Sequence, residues 1–271
     1  MDLPGWQALR EELHPAGLEV VTVCLEVTGP DVGREFVDAA APTHPSLLDV
    51  GHEMAAKFGV VNIPNAVWID EEGVIVRPAE PAWPPTAEPT PEQREQMRRM
   101  REEFARRAAS EAATSGAATG DAPAQERPRA NFTEGGQDRA AYPDAIRDWV
   151  ARGAASPFAL SPDEVVARSQ PRPVEVSEAA AEFELGHHLW RAGRRDAAIA
   201  HFDRANQLQP ENWAYKRQSW SVVSRERVDG PMGLFAQGPT GTEGEEPWPF
   251  SSDFRRDVAA LGPGEYYPNT M

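Results

Sequence analysis

The proline and glycine content of this chain predicts linkers rather than one continuous core. The sequence of 271 residues contains 26 prolines and 21 glycines, which is more than a single compact domain of this length usually carries. The stretch PAEPAWPPTAEPTPE at residues 78–92 is especially rich in proline, and such segments form stiff, extended linkers. We therefore predict separately organised parts on either side of it.

Composition and pattern define four parts. The segment at residues 92–113 is charged and alanine-rich with a thin apolar stripe, and residues 115–140 are of low complexity. The predicted parts are an α/β domain at 1–78; a linker, charged helix and low-complexity segment at 79–141; a helical region at 142–227; and an irregular arm at 228–271 that packs back on the helices.

The first part alternates helical and strand patterns. Trp6, Leu9 and Leu13 recur at helical spacing. The run LEVVTVCLEV at residues 18–27 is almost continuously apolar and rich in β-branched residues, which predicts a strand buried on both faces. The helix VGHEMAAKF is followed by NAVWID and VIVRP, two short strands joined by a turn at Gly73. This order predicts an α/β domain with a mixed sheet.

The sequence offers little for metal, thiol or cofactor chemistry. Cys24 is the one cysteine, so neither an intrachain disulfide nor a cysteine-only metal site can form. Its place in the predicted central strand favours an inert, buried thiol. We expect His187 and His188 to be surface or semi-buried side chains, and His44 and His52 to be ordinary loop histidines. His201 is expected to lack an acidic partner. No metal site and no cofactor is predicted.

Charge and hydropathy restrict the classes of partner. A net charge of −16 argues against a nucleic-acid backbone or an anionic membrane surface. No stretch approaches the ~18 apolar residues of a membrane span, and the first residues lack the pattern of a secretion signal. These features predict a cytoplasmic protein. The glycosylation pattern at Asn131 is then not expected to be used, and the acidic run from Asp70 to Glu72 is explained by turn chemistry.

A family resemblance covers residues 2–77. The segment SLLDVGHEMAAKFGVVNIPNAVWIDEEGVIVR, together with the strand LEVVTVCLEV, resembles the TlpA/ResA-type branch of the thioredoxin superfamily. The resemblance implies that Ile63 and Pro64 correspond to an Ile-Pro dipeptide whose proline is cis and faces the active site. In that family a strand ending in Trp-Cys-x-x-Cys precedes a helix that often begins Glu-Leu-Pro. Here Asp2-Leu3-Pro4 matches the point just after that motif, which implies an N-terminally truncated thioredoxin-like domain without its two cysteines.

The missing strand has two consequences. Thioredoxin-type chemistry needs a low-pKa thiolate and a second thiol that resolves the mixed disulfide, and this sequence contains neither. The neighbours of a missing central strand would also keep unpaired backbone groups at an exposed edge. We therefore expect another segment or a partner chain to cover this edge, or else a marginally stable domain.

A second resemblance lies in the helical region. Residues 181–212, AEFELGHHLWRAGRRDAAIAHFDRANQLQPEN, resemble one tetratricopeptide (TPR) repeat. The resemblance implies two antiparallel helices that approach closely at small residues and end at a proline. The residues at the repeat's spacing are Leu185, Gly186, Leu189, Ala198, Phe202, Ala205 and Pro210.

Three functions are compatible with these observations. The favoured one is a thioredoxin-like/TPR protein of thiol-disulfide oxidoreductase ancestry that is redox-inactive and binds a protein partner or substrate protein near Pro64. In the second, the sequence is part of a longer, active thiol-disulfide reductase that carries a Cys-x-x-Cys. In the third, the TPR-type helices bind the partner and the α/β part supports them.

Overall fold

The computed structural model describes most of the chain, namely residues 2–85, 94–95, 98–99, 102, 140–169, 171–228, 233, 236–239 and 244–268. The chain forms two compact units: residues 1–87, 132–219 and 262–271 make the first, and residues 88–131 and 220–261 make the second. Most of the predicted charged helix at 92–113, the low-complexity segment up to residue 139 and the Asn131 motif lie outside the described residues.

The described residues form a mixed α/β structure of nine helices and two small sheets. The helices are α1 Leu3–Leu13, α2 Pro30–Ala40, α3 Glu53–Phe58, α4 Ala141–Arg152, α5 Pro162–Arg168, α6 Val174–Arg191, α7 Arg195–Leu208, α8 Trp213–Arg227 and α9 Phe254–Ala259. The strands are β1 Thr22–Cys24, β2 Ser46–Leu48, β3 Asn65–Ile69 and β4 Ile75–Pro81. β1 pairs with β2 in parallel, and β3 pairs with β4 antiparallel.

The first strand is shorter and less buried than the sequence predicts. β1 covers Thr22–Cys24 in a two-stranded sheet, so the prediction of a doubly buried strand across residues 18–27 is wrong. Cys24 is exposed rather than buried, although its sulfur lies against α2, where a Cβ added to Gly33 would be 3.3 Å away. The apolar run fails as a signal of burial because, among the described residues, a strand flanks β1 on one edge only.

A side chain of α8 partly covers the other edge. The C=O of Cys24 accepts the N–H of Asp49 on the β2 side. Just beyond β1, Gln218 donates from Nε2 to the C=O of Leu25 at 3.0 Å and accepts at Oε1 from the N–H of Val27 at 3.5 Å. The carboxamide of Gln218 therefore pairs with the backbone as one peptide group of a neighbouring strand would.

The short helix α3 is capped at both ends by side chains from other segments. Asp49 accepts the N–H groups of Glu53 (2.9 Å) and Ala55 (3.1 Å), which satisfies free donors of the first turn. Arg172 donates to the C=O of Ala56 and of Lys57 at the other end. Residue 59 is a glycine with φ of 78°, which confirms the predicted end of this helix.

The predicted hairpin is present. Asp70 accepts the N–H groups of Glu72 (3.1 Å) and Val74 (2.8 Å) through Oδ1, and Gly73 has φ of 81°, which confirms that the acidic run serves the turn. β4 continues to Pro81, past the predicted boundary at residue 78. Proline is tolerated there because the described residues pair β4 on one edge only.

The start of the predicted linker belongs to the hydrophobic core. Ala82 is fully buried and Trp83 is 8% exposed, so these residues are not a free linker. They pack between the hairpin and helices α1 and α4. The buried members of this cluster are Leu9, Trp68, Ala82, Trp83, Tyr142, Ala145 and Ile146.

The TPR-like segment forms a helical hairpin whose seam is close-packed. A Cβ added to Gly186 of α6 would lie 2.6 Å from the ring of Phe202 in α7, so only glycine permits this approach. Five of the predicted seam residues are buried, namely Gly186, Leu189, Ala198, Phe202 and Ala205. Pro210 follows the end of α7, as predicted. Leu185 is 42% exposed and lies outside the seam, contrary to its predicted packing role.

The seam gives a testable prediction. Gly186→Ala should lower the free energy of unfolding by about 1–3 kcal/mol, because overpacking at the Phe202 ring outweighs the better helix propensity of alanine. Urea unfolding measures this. Phe202→Leu in the same chain should recover part of the loss, since the shorter side chain leaves room. A double variant whose loss equals the sum of the two single losses would contradict direct contact.

The second unit is described in part. Arg227, at the end of α8, donates to the C=O groups of Glu246 and Pro247, each at 3.0 Å. Asp253 caps α9 by accepting the N–H of Arg256. The predicted irregular arm therefore contains one short helix among its described residues.

Candidate protein-binding site

The loop between α3 and β3 presents both backbone and side-chain hydrogen-bonding groups. Asn62 is 6% exposed; its Oδ1 accepts the N–H of Ile63 (2.9 Å) and its Nδ2 donates to the C=O of Tyr266 (2.8 Å). The C=O of Val61 accepts the N–H of Ala214 in the first turn of α8 at 3.1 Å. This bond anchors the loop to a helix end that has free donors. The peptide bond that follows Ile63 is cis.

Aromatic side chains from three parts of the first unit surround this loop. The ring of Trp213 lies 4.7 Å from that of Tyr266, edge to face. Trp83 makes the same kind of contact with Tyr267 at 4.9 Å. Edge-to-face pairs of this kind stabilise beyond the area that they bury. Residues after β4, at the start of α8 and near the end of the chain thus meet beside Ile63.

Both tyrosine hydroxyls have specific partners. The Tyr267 hydroxyl donates to the C=O of Ile63 at 3.0 Å. Burial raises the pKa of Tyr266, while the charge and hydrogen bond of Arg217 oppose that rise. Lys216 lies over the Trp213 ring at 4.9 Å, a cation–π contact. The site is therefore aromatic with two cations from α8, in a chain of net charge −16.

The predicted site residues fall in two places. Ile63 and Pro64 lie in this loop, with Ile63 39% exposed. Five of the predicted TPR residues, Gly186, Leu189, Ala198, Phe202 and Ala205, instead lie in the α6–α7 seam. The sequence reasoning missed the residues that build the site around the loop, namely Asn62, Trp213, Lys216, Arg217, Tyr266 and Tyr267. The available signal was the pair of consecutive tyrosines in the arm at 228–271, which the sequence predicts to pack back on the helices.

A buried histidine pair lies behind α3. His52 is 1% exposed and His187 is 5% exposed, unlike the ordinary loop role predicted for His52. The Phe183 ring lies 5.0 Å from the His52 ring and 4.5 Å from that of His187. Neither nitrogen of His52, nor Nε2 of His187, has a hydrogen-bond partner in the described structure. Both histidines are therefore held neutral in an apolar setting.

Burial controls the pKa of both groups. Desolvation lowers the pKa of His52 to about 4, against the opposing charges of Asp49 and Glu26. Desolvation, with the charges of His52 and Arg191, lowers the pKa of His187 to about 3. Neither group titrates near neutral pH, so neither serves as a proton-transfer group there.

The other histidines have local roles. His44 is buried with Nδ1 at 3.1 Å from the C=O of Pro45, and His188 is exposed. His201 pairs with Glu182 across the α6–α7 hairpin, so the expectation that it lacks an acidic partner is wrong. In the ranges that the structure describes, no group of three or more histidine, cysteine or acidic side chains is arranged to hold a metal ion.

A small cavity lies between α3, α6 and the start of α8. Its volume is about 150 Å³, and its walls are mainly alanine and valine side chains. Its polar lining comes from Arg172, Ser177, Gln209, Asn212 and Tyr215. Burial raises the pKa of Tyr215 to about 12, so its phenol stays neutral. The cavity has room for a side chain or a few small groups rather than a cofactor.

In the part of the chain with assigned structure, no helix combines the length and apolarity needed to cross a membrane. Comparison with known proteins gives no further guide, because no family model, curated protein or solved structure matches the chain.

Proposed function

We propose that this chain is a redox-inactive, thioredoxin-like protein with a TPR-like helical hairpin, and that it works by binding an extended segment of another protein beside Ile63 and Pro64. The fold class is the first support. Helix, strand, helix, strand, helix and hairpin follow one another from α1 to β4, and β1 pairs with β2 in parallel. This order contains the helix, strand, helix, helix and hairpin that the sequence predicts, with the additional strand β2 between the second and third helices.

The thiol chemistry supports an inactive protein. A dithiol centre needs two nearby cysteines and an activated thiolate, and the sequence contains Cys24 alone. Burial of its sulfur and the charge of Glu26 raise the pKa of this thiol. Cys24 therefore stays protonated at neutral pH and is a poor nucleophile.

The observation that carries the binding function is the peptide already seated at the site. Residues 262–268 of the chain lie against the loop, held through a backbone C=O at Asn62 and a phenol at Ile63. A surface that holds an irregular peptide by its backbone and by aromatic side chains has the chemistry that protein recognition uses.

Two measurements test this function. In an insulin-reduction assay the purified chain should show no turnover, and Cys24→Ser should match it. Turnover by the 271-residue chain would refute the proposal that the protein is redox-inactive.

A second experiment selects peptides that bind the wild-type chain from a random library. These peptides should lose affinity for the Trp213→Ala variant but not for the control variant Trp190→Ala, which changes a tryptophan of α6. Equal losses for both variants would refute the site.

The cavity favours a second candidate, in which the TPR-type helices bind the partner. A cavity of about 150 Å³ with a polar rim would accept one side chain of a docked segment. Ser177→Leu would fill it from α6. Loss of partner binding in Ser177→Leu, with Trp213→Ala unchanged, would favour this candidate over the loop site.

A further inference from the structure

The residues that occupy the candidate site come from the chain itself. We call residues 262–268 the tail segment, and we call the surface formed by Asn62, Ile63, Trp83, Trp213 and Arg217 the aromatic groove. The tail segment has neither helix nor strand. It contributes Tyr266, which is 7% exposed, and Tyr267 to the groove.

Side-chain contacts, rather than pairing in a helix or a sheet, hold the tail segment against the groove. They include hydrogen bonds to Asn62 and to the C=O of Ile63 and ring contacts with Trp213 and Trp83. Glu265 bonds to the N–H of Gly262, within the segment itself. Segments outside helices and sheets can open locally at a lower free energy than global unfolding requires.

The groove specifies tyrosine rather than aromatic residues in general. The hydroxyl of Tyr267 donates to a backbone C=O, and Arg217 bonds to the hydroxyl of Tyr266. Phenylalanine at residue 267 would remove the hydrogen bond to the C=O of Ile63, and phenylalanine at residue 266 would remove the interaction with Arg217. The ring contacts require two aromatic residues in sequence, with one turned to each tryptophan.

We propose that the tail segment is a displaceable occupant of the aromatic groove, and that the groove's partner is an extended protein segment with two consecutive tyrosines. This inference rests on the proposed binding function and names its partner class and its regulation. A partner binds when its Tyr-Tyr pair replaces Tyr266 and Tyr267. The tethered tail lowers the apparent affinity for every competitor because it is always present at a high effective concentration.

The test uses the full chain and a labelled peptide, GPGEYYP, which copies the tail segment. The double variant Tyr266→Ala/Tyr267→Ala should bind this peptide at least about tenfold more tightly than the wild-type chain does, because its own tail no longer competes. A peptide with Phe-Phe in place of Tyr-Tyr should bind about tenfold more weakly, since it lacks both hydroxyl hydrogen bonds. Fluorescence anisotropy measures both.

Two further substitutions test whether the labelled peptide binds at the aromatic groove. In the double-variant background, Trp213→Ala should abolish peptide binding, and Leu185→Ala, on the exposed side of α6, should leave it unchanged. Equal binding by the wild-type chain and the double variant, or no binding by the double variant, would overturn the proposal. A tail exchanged between two copies, detected as a concentration-dependent dimer of the wild-type chain, would also overturn it, because the partner would then be a second copy.

A measurement on the wild-type chain covers the case in which the double variant does not fold. Hydrogen exchange of residues 265–267 should be at least about a hundredfold faster than that of the α6 and α7 core, as local opening requires. Exchange at the same rate as the core would overturn displacement. If the wild-type chain reduced insulin, the proposal of a redox-inactive protein would be refuted, but the peptide-binding result would be unaffected. The failure of the proposed function can therefore be told apart from the failure of tail displacement.

Discussion

Replacing Glu80 with leucine should destabilise the protein by about 3–5 kcal/mol, because it leaves a buried guanidinium without its counter-charge. Arg77 is 2% exposed and Glu80 is 3% exposed. Two hydrogen bonds join them, at 2.6 and 2.7 Å, and Arg77 also donates to the C=O of Phe158 at 2.8 Å. Arg77→Leu should have an effect of similar size, since a buried carboxylate then remains. Urea unfolding of each variant measures the loss.

The double variant Arg77→Leu/Glu80→Leu separates charge burial from packing. It should be within about 1–2 kcal/mol of the wild type, because apolar pairs replace buried ion pairs at little net cost. Glu178→Ala is the matched control: it breaks the exposed pair with Arg204, and exposed pairs contribute about 0.2–1 kcal/mol. A double variant as unstable as the sum of the single variants would contradict the proposed coupling.

Acidification from pH 6.5 to 4.5 should remove about 4 kcal/mol of stability, or about 2 kcal/mol for each of two buried histidines, because the slope per group rises from half its full value at pH 6.5 towards about 1.4 kcal/mol per pH unit below it. The folded-state pKa values are about 4 for His52 and about 3 for His187, against an ordinary value of 6.5. The unfolded chain therefore takes up protons from pH 6.5 downward, whereas the folded chain does not. The contribution of these two groups is complete about one pH unit above 6.5 and is lost progressively as the pH falls towards their folded-state pKa values.

Substituting each histidine separately shows how much it contributes to the pH dependence of the free energy of unfolding. His187→Leu removes one titrating group and should reduce the slope between pH 6.5 and 4.5 by half, whatever its effect at pH 7. His52→Asn should do the same, and asparagine tolerates the positive φ of 56° at this position. The groups facing the pair are Asp49, Glu26 and Arg191. Denaturation as a function of pH gives the slope, and an unchanged slope in both variants would contradict the assignment.

Local signals in the sequence were sufficient wherever neighbouring residues determine the structure. The hairpin turn at Asp70 and Gly73, the capping of α5 by Ser161 and the small residue at Gly186 follow from rules that act over a few residues. The same holds for the helices α6, α7 and α8, whose periodic patterns are long and well punctuated.

The ion pair in β4 shows why other features could not be predicted. In a regular strand, residues three apart point to opposite faces, so the sequence VRPAEP gives no sign that Arg77 and Glu80 meet. The register is irregular between Ala66 and Trp68, where two residues of β4, Pro78 and Ala79, lie opposite the single residue Val67 of β3. The extra residue turns both charged side chains to one side. A bulge of this kind depends on the tertiary packing, not on the local pattern.

The candidate site was predictable only in part for the same reason. The family resemblance pointed to Ile63 and Pro64, but the groups that surround them come from residues more than a hundred positions away in the sequence, at Trp213 and Tyr266. No periodicity links such positions. The apolar run around Cys24 led to a prediction of more burial than the structure shows. Hydropathy predicts that a strand is buried, but it does not identify the segments that cover the strand.

The two caps of helix α3 make the folding of distant segments interdependent. A helix of six residues is far below the length at which isolated helices persist in water, so α3 depends on Asp49 before it and on Arg172 from beyond the proline-rich stretch. Arg172 lies in the segment that leads into α6. We therefore expect the α/β segment and the α6–α7 hairpin to unfold together, and a fragment that ends before residue 132 to lose α3 and the side of the cavity that α6 lines.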